Sequence, residues 1–122
     1  MNSIKSCGIN ITMPIAEEYL AYTAKWKREL GEKTIVLIQV GSFYEVYALR
    51  DHNGNIIGSD IEEFSRINDM VIASKSRMFV DKKQVLMAGF GLAQLDKYVN
   101  KMQARGYAIV VYKQDLQAKN TT

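Results

Sequence analysis

Apolar residues fall along this chain in two rhythms, one at helical spacing and one in short runs. Ile15, Tyr19, Tyr22, Trp26 and Leu30 recur at intervals that place them on one face of a helix. Pro14 stands where such a helix can begin, because its missing N–H is not needed in the first turn. Glu17 and Glu18 lie near the positive end of the helix dipole, and Lys25, Lys27 and Arg28 near its negative end. Gly31 terminates the pattern.

The short runs predict strands. Thr34 to Val40 reads as a buried strand and Phe43 to Leu49 as a second, and the brief break at Gly41-Ser42 predicts a hairpin. Asp51-His52-Asn53-Gly54-Asn55 signals a turn, after which Ile56-Ile57 is a candidate short strand. Ser59 and Glu62 have the spacing of a capping box for a helix carrying Ile61, Phe64 and Ile67. Val71-Ile72-Ala73 is a candidate main strand. Residues 75–83, basic and polar around Met78-Phe79-Val80, read as a loop. Val85 to Ala88 predicts another strand. Leu92, Leu95, Val99 and Met102 mark a last helix ending near Gly106, and Tyr107 to Tyr112 a last strand. The closing strand–helix–strand unit predicts parallel strands with a right-handed crossover. Together with the hairpin this is an α/β (mixed α+β) fold, a mixed sheet of about five to six strands packed with three helices. Residues 1–14 read as an irregular amino-terminal arm, 15–114 as one domain and 115–122 as a tail.

Composition narrows the function. The 122 residues suffice for one core, and no apolar run approaches the roughly 18 residues of a membrane span. The opening residues resemble no signal peptide, and Cys7 is alone, so no internal disulfide forms. The expectation is a soluble intracellular protein. A net charge of +3 is compatible with a polyanion partner without demanding one.

Enzyme signatures are absent. No G-x-x-x-x-G-K-[ST] phosphate loop occurs, and one Cys with one His builds no zinc site at ordinary spacing. His52 belongs to the turn. Asp60, Glu62 and Glu63 fit a helix N-terminus better than a metal site. The segment of interest is Gly41-Ser42-Phe43-Tyr44-Glu45-Val46-Tyr47. Strand alternation points Phe43 and Glu45 the same way. A ring and a carboxylate presented together suit an unstacked base, the ring by stacking and the carboxylate by accepting a hydrogen bond from a base N–H. A carboxylate drawn close to DNA can also gain a proton and donate. Tyr47 and Leu49 share that face, and the pattern alone favours Phe43 as core. Lys75, Arg77, Lys82 and Lys83 have the charge to grip phosphates, although charge alone favours an ordinary solvated loop.

The chain resembles the amino-terminal domain of MutS proteins over about residues 16–114. Thr34 through Tyr47 is similar to the family's apolar strand followed by G-D-F-Y-E-x-F/Y. Val85-Leu86-Met87-Ala88-Gly89-Phe90, Leu95-Asp96-Lys97-Tyr98 and Gly106 to Gln114 resemble its P-M-A-G-I/F segment, its Y-L-x-K-L helix and its final strand. The wording of Gly31 to Leu37 with Gly41-Ser42-Phe43 looks closest to MutS proteins of the giant-virus type. That source would imply a virus replication compartment. The resemblance implies a mismatch-recognition domain, not itself an enzyme, acting on duplex DNA with mismatches or small loops. It gives Phe43 the role of a minor-groove wedge and Glu45 that of a base-contacting carboxylate, with Ser42 beside them and Lys75 and Arg77 as phosphate contacts. It implies no cofactor for this domain, which is expected to be monomeric when isolated. ATP and magnesium belong to an ATPase domain of a longer, homodimeric parent. Ser42 departs from the usual aspartate, Gly91 from a usual proline and Ala93 from a usual histidine, and residues 51–58 are an insertion. These departures predict a different arrangement of the loop Phe90 to Ala93.

Two other readings compete. A protein-interaction module that kept the fold and lost DNA reading predicts a buried Phe43. A small nuclease would need Glu45 and further acids around a divalent cation.

Overall fold

A computed structural model describes residues 4–9 and 15–114 of the chain. Its elements are β1 (Ile4–Ile9), α1 (Ile15–Leu30), β2 (Thr34–Val40), β3 (Phe43–Arg50), β4 (Ile56–Ile57), α2 (Ile61–Asn68), β5 (Ala73–Val80), β6 (Lys83–Gly91), α3 (Leu95–Ala104) and β7 (Ala108–Gln114). The main sheet runs β1-β7-β2-β3-β6-β5, and β4 pairs with the far end of β3. The pairs β1–β7 and β7–β2 are parallel, whereas β2–β3, β3–β6 and β6–β5 are antiparallel. The predicted α/β architecture of three helices on a mixed sheet is the one observed. β6 and β7 point the same way, as predicted, with β3 and β2 between them.

The helices lie on opposite faces of the sheet, and strand alternation explains why. Tyr47 on β3 meets Tyr19 of α1 edge to face, with ring centroids 5.6 Å apart. Tyr112 on β7 stacks on Tyr22 and accepts a 2.9 Å hydrogen bond from the Trp26 indole. These α1 contacts fall on one face. The opposite face carries Tyr44 and Phe90, and Phe90 packs against Phe64 of α2 and Tyr98 of α3. β2 is apolar on both faces because both are covered, with Ile35 to Ile38 all buried.

The sheet splays beside β3. Registered β2–β3 pairs end at Ile38 opposite Glu45. Side chains satisfy the carbonyls beyond that point. The Tyr19 hydroxyl donates to Val36 O at 2.8 Å, and Ser59 Oγ donates to Tyr47 O. Burial pushes the Tyr19 hydroxyl far above its ordinary range and keeps it a donor.

Four sequence expectations need correction. Residues 4–9 are not irregular, because they pair in parallel with β7 as the edge strand β1. The remainder of 1–14 and the tail 115–122 lie outside the described residues. Ser59 is not a helix cap: its hydroxyl serves Tyr47, and Asp60 opens α2 without a side-chain cap. The strand expected at Val71 to Ala73 begins only at Ala73, leaving Val71 85% exposed. The basic segment 75–83 is a β-hairpin rather than a loop. Asp81 and Lys82 both take positive φ at its turn, as a two-residue type I′ connection requires.

Candidate nucleic-acid interface

The site is built on the β2–β3 turn. Val40 pairs with Phe43, leaving Gly41 and Ser42 as a two-residue connection. Gly41 adopts φ 60 and Ser42 does not have positive φ, the pattern of a type II′ turn, which favours glycine at its first central position. Leu92 N–H donates to Ser42 O at 3.1 Å and ties this turn to the end of β6. Gly91 sits at φ −69 and ψ 152, angles that proline also adopts, so replacing a proline there does not require a different backbone path.

β3 emerges from the turn with Phe43 52% exposed. Tyr44 turns to the opposite face and is buried against Phe90. Glu45 returns to the face of Phe43 but is only 9% exposed. Its neighbour across the ladder is Gly89 of β6. A Cβ on Gly89 would lie 2.7 Å from Tyr44 O and 3.2 Å from Glu45 Cγ, so only glycine lets the strand sit this close. Phe43, Glu45, Met87 and Gly89 line an open pocket of about 190 Å³.

A buried carboxylate needs partners. Tyr47 supplies one by donating its hydroxyl to Glu45 Oε1. Burial first, and then the hydrogen bond to Glu45, push the Tyr47 hydroxyl well above its ordinary range. Tyr47 is therefore the donor and Glu45 the acceptor. Among the described residues, Tyr47 is the partner found for this carboxylate.

The structure unites some of the sequence-predicted residues and separates others. Phe43 and Glu45 share the pocket, and Ser42 adjoins it. Lys75 follows Ser74, whose ladder partner Leu86 lies opposite Ala48, which sets Lys75 level with Leu49. Six strand steps separate that level from Phe43, about 20 Å. Arg77 is exposed at φ 68, inside the irregularity between Ser74 and Phe79. Gln84 holds this irregular strand by donating to Lys75 O at 2.7 Å and Met78 O at 3.2 Å. Sequence reading missed Gln84, Met87, Gly89 and the hydroxyl of Tyr47. The spacing of Glu45 and Tyr47 on one strand face was the available signal for the last of these.

His52 is exposed in the turn after β3, and Cys7 lies on β1. Among the described residues, no three His, Cys, Asp or Glu side chains gather where they could hold a metal ion. No helix there is long and apolar enough to cross a membrane.

The geometry defines a small α/β domain that offers a ring and a partly shielded carboxylate from one hairpin. The family model for MutS domain I matches residues 21–122, and the chain belongs to that family. At the level of the family this associates it with mismatch recognition in DNA repair. A comparison with curated proteins returns no match.

Proposed function

We propose that this domain reads mismatched or unpaired bases in duplex DNA, with Phe43 as the wedge and Glu45 as the base contact. The observation that carries the reading is a half-exposed Phe43 at the rim of a pocket holding Glu45, in a MutS domain I. Phe43 holds its ring open to solvent at the start of β3. Inserted at a base step, its ring stacks where a mismatch has already weakened pairing and stacking, so the duplex kinks there at lower cost. Glu45, set back beneath the ring, accepts a hydrogen bond from the base without its charge projecting among phosphates. Ser42 flanks the wedge. Lys75, about 20 Å away or roughly six base steps along the duplex at 3.4 Å each, contacts a phosphate, and exposed Arg77 beside it contacts another.

ATP and magnesium act in an ATPase domain of a longer, homodimeric parent, not in this segment. The family match supports MutS domain I and goes no finer, so the giant-virus-type resemblance rests on the wording around Gly31 to Phe43. The competing interaction module is disfavoured because it calls for a buried Phe43.

The test compares the parent chain and Phe43→Ala on matched and mismatched duplexes. Base–aromatic stacking is worth ~1–3 kcal/mol, so loss of the ring should reduce discrimination by about five- to 150-fold. Equal discrimination by both proteins sinks the reading.

A further inference from the structure

We infer that the tip of the β5–β6 hairpin is a second nucleic-acid contact, at which the ring of Phe79 stacks on an unpaired base while Arg50 and Lys82 hold the phosphates of a single DNA strand. The inference goes beyond the mismatch reading of Phe43 and does not depend on it.

Three observations carry it. The first is charge. Residues 75–83 set Lys75, Arg77, Lys82 and Lys83 against Asp81 alone, an excess of +3 that equals the net charge of the whole chain. The rest of the sequence is electrically balanced, so the attraction for a polyanion is concentrated at this hairpin. The second is an open ring. Phe79 is 59% exposed, more than Phe43 at 52%. The third is a held backbone. Gln84 donates to Met78 O at 3.2 Å, next to Phe79, and Asp81 and Lys82 take the left-handed φ values of 50 and 65 that close the turn.

The register separates this contact from the Phe43 site. Phe79 pairs with Gln84 and Gln84 with Arg50, so Phe79 and Arg50 share the sheet face of Tyr44, whereas Phe43 lies on the opposite one. Seven strand steps also separate their levels, about 23 Å. Arg50 and Lys82 are both exposed. Asp51, the acid next to Arg50, accepts the N–H groups of Asn53 and Asn55 at 2.9 Å within its own turn. Cations track a phosphate backbone, and an exposed ring adds sequence-tolerant stacking on any base whose face is free. Bases inside an intact duplex have both faces covered by their neighbours, so the ring on this edge strand suits a single strand.

The experiment measures, by fluorescence anisotropy at low salt, binding of the 122-residue chain to an oligothymidylate, to an abasic strand of the same length and to a matched duplex. The parent should bind the oligothymidylate at least about fivefold more tightly than the abasic strand, the lower end of one base–aromatic stack. Phe79→Ala should remove that preference and leave duplex affinity within about twofold, whereas Phe79→Trp should keep it. Lys82→Gly suits the left-handed φ at its position and should lower the salt slope of single-strand binding by about 0.7, the share of one phosphate contact. Phe43→Ala should keep the preference for the oligothymidylate. A parent that binds the abasic strand equally well responds to charge alone and overturns the inference. So does a Phe79→Ala protein that keeps the preference, or a Phe43→Ala protein that loses it, since the strand then lies at the Phe43 site.

Discussion

One absent side chain sets the depth of the pocket beside Phe43. Gly89 stands across from Glu45, and the ladder leaves no space for a Cβ against Tyr44 O. Gly89→Ala must push β3 and β6 apart or displace Glu45, at a cost of about 1–3 kcal/mol. Urea unfolding should show that loss, and an unchanged midpoint would mean that the ladder relaxes freely. Phe43 and Glu45 were legible as a pair because alternation alone puts them on one face. Whether that face was open was not legible. Tyr47 and Leu49 continue it and are buried at 2% and 7%, while Phe43 is 52% exposed. What separates them is where the covering layer of α1 ends, and that depends on tertiary packing rather than on local pattern.

At the scale of elements, regular periodicity was readable and edge structure was not. The Ile15 to Leu30 stripe became α1, and the apolar run from Thr34 became β2, because both are anchored by burial. The Lys75 to Lys83 segment was misread because β5 is an edge strand with little buried surface and an irregular ladder, so its sequence shows no clean alternation. The neighbouring strand β6 of the same hairpin holds it instead, in part through the Gln84 amide. β1 was missed for a related reason: it is defined by pairing with β7, about a hundred residues away in sequence. The turn Asp81-Lys82 also lacks the usual glycine, and left-handed backbone costs a non-glycine residue roughly 1–2 kcal/mol. Lys82→Gly should relieve part of that cost and raise stability by up to about 1 kcal/mol, visible as a higher denaturant midpoint. A lower midpoint would show that the Lys82 side chain is needed where it stands.

The whole molecule is a sheet between two helical layers, with tyrosines at the seams. Burial raises Tyr19, Tyr47 and Tyr44 above their ordinary values, and burial followed by nearby Asp60 pushes Tyr107 up to about 12. Folding therefore favours the protonated phenols. The stability they contribute is complete below the unfolded value of 10 and declines as pH rises toward about 12. Phenolate absorbance should rise in two stages, the second coinciding with the change in Trp26 fluorescence as the core opens. Smooth ionisation of all seven tyrosines near pH 10 with the fold intact would contradict this picture. A mixed sheet packed with three helices was legible in outline because strands and helices carry different hydrophobic periods, whereas the placing of the helices on both faces was not. The strand order was not, since it depends on β7 entering between β1 and β2.

The central claim is that Phe43 touches the defective base itself. Photo-crosslinking with 5-iodouracil at a mismatch measures that contact directly, and it captures complexes too weak to isolate. The account predicts a crosslink mapping to Phe43 on the mismatched duplex and little on the matched one. Crosslinks at the β5–β6 hairpin alone, or equal yields from both duplexes, would contradict it.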